Sequence, residues 1–153
     1  MTQDEIEQLS FKWTGKRSAK NVDSDTFIEA CERGYIDFVY SALEYNKSLA
    51  NAKNKYKKTV LMRAAHEGQK SIVKLLIENG ADVNASDEYG LTPLMWAVGG
   101  NKDFSDVVKL LLETGADVNC INYCSQTALD MAEIGGLEKS IAVLKSWGGM
   151  SAN

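Results

Sequence analysis

Two stretches of the chain place apolar residues at helical spacing and end on the same five letters. "SIVKLLIENGADVN" carries Ile72, Val73, Leu75, Leu76 and Ile77; "DVVKLLLETGADVN" carries Val107, Val108, Leu110, Leu111 and Leu112. Runs with this period bury one face of an α-helix. A shorter segment opening on threonine precedes each: "TVLMRAAHEG" (59–68) and "TPLMWAVGGN" (92–101), with a third, "TALDMAEIGG" (127–136), further on. The three align without gaps, 33 and then 35 residues apart (59 to 92, 92 to 127). A weaker fourth copy, "DTFIEACERG" (25–34), puts Phe27 where the others have Leu61, Leu94 and Leu129, and Ala30, Ala64, Ala97 and Ala132 share one register. A period of this size signals stacked supersecondary units, each unable to bury its own apolar face.

Each unit reads as two helices and a corner. Thr59, Thr92 and Thr127 are N-caps, and Pro93 sits at the first helical position, where its missing N–H costs nothing. Gly34, Gly68 and Gly136 close the short first helix. In "GADVN" the glycines Gly80 and Gly115 supply the left-handed stop of the second helix, and aspartate and asparagine favour the turn after it. The competing reading of the phrase, a functional asparagine in each copy, adds nothing that the turn does not already explain. Ala64, Ala65 and Ala97 are small where helices of successive units approach. The pattern predicts first helices near 25–33, 60–67, 93–99 and 128–134, and second helices near 35–45, 70–78, 104–113 and 137–146.

These residues resemble the ankyrin repeat, whose T-P-L-H-x-A signature and period of about 33 residues are similar to Thr92-Pro93-Leu94-Met95-Trp96-Ala97, with Met95 in the histidine place. Thr59–Ala64 and Thr127–Ala132 are looser matches, and Gly80–Asn84 and Gly115–Asn119 match the family's G-A-D-V-N fully. The resemblance implies an all-α solenoid of about four helix pairs with finger-like hairpin loops, arranged as a right-handed stack with a concave face lined by the fingers and first helices. The domain organisation expected is an N-terminal extension (1–23) and a repeat domain (24–149), with repeats near 24–52, 53–85, 86–120 and 121–149. The extension reads either as a flexible leader or as a strap over the first repeat; Phe11 and Trp13 favour the strap. The first repeat ends "NKSLANAKN", without GAD, and the last ends "SWGGM". Ser140 stands where inner repeats have Ile72 and Val107, and two extra residues lengthen "NKDFSD". Terminal repeats depart from the pattern because an end face meets water rather than a neighbour.

Composition narrows the function. Of 153 residues, 44% are hydrophobic and 25% charged, the balance of a folded chain. A net charge of −4 weighs against nucleic acid and anionic membrane as partners, and no apolar run nears the ~20 residues of a membrane span. The N-terminus lacks the apolar core of a signal peptide. Three cysteines, an odd number, suit a reducing, cytoplasmic setting better than a disulfide scaffold. Cys31 occupies an alanine-type position, Cys120 and Cys124 have C-x3-C spacing with no second pair to complete a zinc site, and Cys124 falls at a fingertip. His66 is the single histidine, so a His-based catalytic set has nothing to build on. The expectation is therefore not an enzyme, with no metal and no cofactor.

That leaves a monomeric, non-catalytic module that binds a protein partner. A dedicated inhibitor or immunity-type protein blocking one enzyme or toxin is the alternative within that class, and nucleic-acid binding through the lysine-rich first finger, "AKNKYKKT", stands behind both. The fingertip candidates are Lys55, Tyr56, Lys58, Glu88, Tyr89, Leu91 and Tyr123. On the first helices, Arg63, Trp96 and Met131 are equivalent positions, as are His66, Gly99 and Ile134. In the resembled family both sets border the concave groove, and Tyr, Trp and Arg are the side chains most enriched in binding hot spots. Lys53, Lys55, Lys57 and Lys58 surround Tyr56 and read equally as a well-solvated turn or as a contact site, whose partner would then be acidic.

Overall fold

The computed structural model describes residues 19–152. Among them are eight α-helices, in chain order α1 (Ser24–Arg33), α2 (Ile36–Tyr45), α3 (Val60–His66), α4 (Lys70–Glu78), α5 (Pro93–Val98), α6 (Ser105–Glu113), α7 (Ala128–Ile134) and α8 (Glu138–Ser146). They form four helix pairs. The odd-numbered helices pack in one row and the even-numbered in a second, each contacting its counterpart in the neighbouring pair. The finger-like hairpin loops are closed by turns rather than by paired strands. The described residues contain no β-strand, and the one antiparallel bridge, Lys53 to Thr59, stands alone.

The first helices start where their caps place them. Oγ1 of Thr59, Thr92 and Thr127 accepts the backbone N–H three residues on, at 3.2, 3.4 and 3.2 Å. Helix α1 begins one residue ahead of the expected 25 because its cap is Asp23, which accepts from Thr26 N at 2.8 Å. Behind the caps lies the core: Phe27, Leu61, Leu94 and Leu129 in one register, and Ala30, Ala64, Ala97 and Ala132 in the next, all essentially fully buried. Alanine there lets successive first helices approach closely. Leu43, Ile72, Leu76, Leu111 and Leu144 fill the row behind.

The repeated corner turns out to be a joint between pairs. Gly80 and Gly115 take the left-handed conformation (φ 91° and 103°), and Asp82 and Asp117 supply the turn by accepting from Asn84 and Asn119 N–H at 2.9 and 3.0 Å. The asparagine side chain reaches onward. Asn84 Nδ2 donates to Gly115 O (3.0 Å) while its Oδ1 accepts from Asp117 N (2.8 Å). Asn119 does the same to Gly148 O and Met150 N, and Asn51 to Gly80 O and Asp82 N. The first repeat thus has no GAD but keeps the asparagine, and "WGGM" is the receiving corner of the last. Side-chain amides fit the role because one group both donates and accepts.

Ser140 corrects the reading given to it above. It is not a water-facing residue of an end repeat: it is fully buried. Its hydroxyl donates to Asp103 Oδ1, and the backbone N–H groups of Lys139 and Ser140 donate to the same carboxylate at 2.9 and 3.1 Å. Asp103 lies in the lengthened "NKDFSD" turn, so that turn caps the N-terminus of α8 in the neighbouring pair, which has no side-chain cap of its own. Phe104 from the same turn covers Gly68, where a Cβ would lie 2.3 Å from the ring and φ is 68°. Asp103→Ala is expected to cost about 1–2 kcal/mol, from a lost cap and a stranded buried hydroxyl; urea unfolding of the two proteins measures it.

The polar end face lies instead on α7, where Asp130 replaces Met62 and Met95, and Glu133 replaces Ala65 and Val98. Asp130 accepts from the backbone N–H of Thr127 and Ala152, which hold its carboxyl below the usual carboxylate range. Glu133 pairs with Lys145 at 3.2 Å. At the other end, Ala19–Asn21 form a 3₁₀ turn, and Ala19 and Val22 pack against the core. The leader-or-strap reading that rested on Phe11 and Trp13 falls outside the described residues.

Candidate functional site

Three fingers project from the stack, each built on one side chain. Asn54 Oδ1 accepts from Tyr56 N and Lys58 N, Asp87 Oδ1 from Tyr89 N and Leu91 N, and Asn122 Oδ1 from Cys124 N and Gln126 N, at 2.9–3.2 Å. In every finger the backbone N–H of that residue meets the carbonyl four residues on, at 3.0–3.1 Å. Short polar side chains at the first position of such turns do this because they can fold back onto the backbone ahead. The fingers are also tied to one another: Glu88 N donates to Tyr56 O (3.4 Å) and Tyr123 N to Tyr89 O (3.0 Å). Tyr56, Tyr89 and Tyr123 therefore stand along one edge of the molecule, 43%, 58% and 77% exposed. Tyr123 leans over Gly90, where a Cβ would come within 2.8 Å of its ring.

Beside this edge, three of the expected site residues converge on the indole of a fourth. Trp96 is half-buried on α5. Lys58 Nζ lies 4.8 Å from its ring centroid, the Arg63 guanidinium 6.0 Å, and the His66 ring meets it edge-on at 5.5 Å with a 74° interplanar angle. Cations over an indole face are attracted by the ring's quadrupole. Arg63 also pairs with Glu32 of α1, and His66 Nδ1 sits 3.2 Å from Glu67. Lys55 Nζ lies 4.9 Å over Tyr56 on its own fingertip.

The other candidates stand apart from that cluster. Leu91 and Met131 are half-buried and pack against the core. Glu88 is exposed, and Ile134 is 76% exposed on α7. Cys31 is buried, which pushes its thiol far up from the ordinary range, whereas Cys124 is exposed at the third fingertip. Among the described residues no set of His, Cys, Asp and Glu could hold a metal ion, and no helix is long and apolar enough to cross a membrane.

Sequence reasoning missed Asp87. It is 2% exposed, and while Oδ1 holds the finger, Oδ2 accepts the Trp96 indole N–H at 3.1 Å. Asp87 thus fixes both the fingertip and the tryptophan. A signal was present: Asn54, Asp87 and Asn122 are 33 and 35 residues apart, and the one carboxylate of the three falls in the repeat that carries Trp96.

Comparison with known proteins agrees with this geometry. A family model described as ankyrin repeats (3 copies) matches residues 27–122, and one described as ankyrin repeats (many copies) matches 105–140. The mouse protein "Ankyrin repeat and MYND domain-containing protein 1" is 34% identical over 80 residues, 52% of this chain and 9% of the relative. The Escherichia coli (strain K12) ankyrin repeat protein YahD is 37% identical over 70 residues, 42% of this chain and 35% of the relative. A Caenorhabditis elegans transient receptor potential cation channel subfamily A member 1 homolog is 32% identical over 99 residues, 64% of this chain and 8% of the relative. The chain spans about a third or less of the length of these relatives. Repeats of this kind generally mediate protein–protein interactions. With four capped helix pairs in one register and a family model covering most of them, the chain belongs to the ankyrin repeat family.

Proposed function

We propose that this chain is a non-catalytic binding module that takes a protein partner across its fingertips and the concave side of its first helices. The observation that carries the reading is Trp96, a large aromatic held half-exposed by a buried carboxylate and surrounded by Lys58, Arg63 and His66 beside the tyrosine edge. Preorganised aromatics lose little entropy on binding and bury much area. Of the two glycines that follow α5, Gly100 leaves room for a partner side chain, since a Cβ there would have only His66 Nε2 within 4 Å, at 3.7 Å, whereas one on Gly99 would come within 3.2 Å of Met95 O. The repeat domain (24–149) is the binding unit and acts as a monomer, a reading supported by the polar end face at Asp130 and Glu133.

Capture of the partner from native cells by the wild-type chain, followed by binding measurements with Tyr56→Ala, Tyr89→Ala and Trp96→Ala, tests the surface. At least one variant is expected to lose about 2 kcal/mol or more of binding while keeping the wild-type helical spectrum. Full binding by all three moves the site to another face. An activity assay of a captured enzyme separates inhibition from scaffolding.

A further inference from the structure

We infer that the first finger is selected for cationic charge, and that the partner meets it with a short acidic segment of protein. The inference rests on the groove-and-fingertip reading and names the chemistry of its occupant. Three independent observations carry it.

The first is how the lysines are partnered. On the second helices Lys70, Lys74, Lys109 and Lys145 each pair with a carboxylate of this chain, at 3.2–3.9 Å, while Lys139 on α8, like Lys47 and Lys102 in turns, stands singly without such a pair among the described residues. None of Lys53, Lys55, Lys57 and Lys58 forms such a pair among the described residues, although the chain carries a net charge of −4. Two of the four lie over aromatic rings instead. A ring holds an ammonium in place without neutralising it, which leaves the charge available to a partner.

The second is backbone strain. Lys57 has φ 59°. The same finger position is filled by Gly90 (φ 75°) in the second finger and by Ser125 (φ 57°) in the third. Any residue with a Cβ meets a steric penalty in the left-handed region that glycine does not; Ser125 bears it too, and in the first finger the residue that bears it is a further cation, where glycine would fold with less strain. The third is the extent of the patch. It is one finger wide: the next finger, "SDEYGL", offers Glu88, and Glu32 and Glu67 flank Arg63 and His66. A nucleic-acid strand, with a phosphate about every 3.4 Å, would run from the lysines onto these carboxylates. A protein segment can place a few acidic side chains on the finger and an apolar one beside Trp96.

The test uses Lys57→Gly in the full chain, with a labelled decaglutamate peptide, a single-stranded DNA decamer, and a control variant neutralising Lys70, Lys74 and Lys109. Lys57→Gly is expected to raise the melting temperature by about 1–3 °C by relieving the strained φ. It is also expected to weaken peptide binding at low salt, about three- to tenfold when combined with Lys58→Gln, while the control variant binds as wild type. A gain in stability together with a loss of binding is what a merely solvated turn would not show. Equal loss in the control variant, unchanged peptide binding by the finger variants, or tighter binding of the DNA decamer through the same lysines overturns the inference. These outcomes are separable from failure of the parent reading, which is decided by Tyr89→Ala and Trp96→Ala against the native partner.

Discussion

Truncating Leu76 to alanine is expected to lower the free energy of unfolding by about 2–5 kcal/mol, the range for a leucine deleted from a core that relaxes only in part. Leu76 is fully buried on α4, and α4 packs against both α2 and α6, so the cavity would open between neighbouring pairs. Repeat stacks are stabilised by such nearest-neighbour interfaces, and a fault in an inner pair is felt on both sides of it. Urea unfolding followed by circular dichroism gives the number. A loss under about 1 kcal/mol would contradict the burial assigned to α4. Tyr89→Ala is the matched control, since removing an exposed fingertip side chain should change stability by only about 0.5 kcal/mol or less.

Asp87→Ala should be nearly as costly, for a different reason. One buried carboxylate accepts from Tyr89 N, Leu91 N and Trp96 Nε1. Alanine leaves these donors without their acceptor, and donors stranded away from water cost about 1–3 kcal/mol each, so that, with partial rescue by solvent at the exposed tip, a total of about 2–4 kcal/mol is expected. Asp87→Asn separates the two halves of the role. Asn54 and Asn122 already hold the other fingers through Oδ1, so asparagine should keep the second finger. Its amide N–H₂ then faces the indole N–H, two donors with no acceptor between them. The expected result is a cost of about 1 kcal/mol with faster hydrogen exchange at the Trp96 indole and weaker partner binding. Slow indole exchange in the asparagine variant would show that Asp87 does not hold Trp96.

Much of the architecture was legible because repeats encode it locally. Thr59, Thr92 and Thr127 cap helices through atoms three residues away, and the apolar period of residues 72–77 and 107–112 needs only one neighbour of like sequence to be buried. The candidate surface was legible in part. The tyrosines on the fingers and Trp96 on α5 follow from counting along the repeat, and the cluster of Lys58, Arg63 and His66 around that ring does not. Cation–ring and ring–ring contacts depend on how far apart the stack places two repeats, which no single repeat states.

What the sequence by itself determined, then, is the set of elements and their order: caps, helix periods and left-handed corners act over a few residues and recur every 33 to 35. Only the tertiary structure decided which polar side chains work across repeats. Asn51 takes its place in the asparagine ladder without a GAD before it, Asp103 caps α8 from 36 and 37 residues away, and Asp87 turns a finger residue into the support of Trp96. Each of these groups could equally have closed a local turn, since aspartate and asparagine bond whatever donor comes within about 3 Å. Stacking brings the next repeat's backbone into that range, and the register of the stack selects the partner.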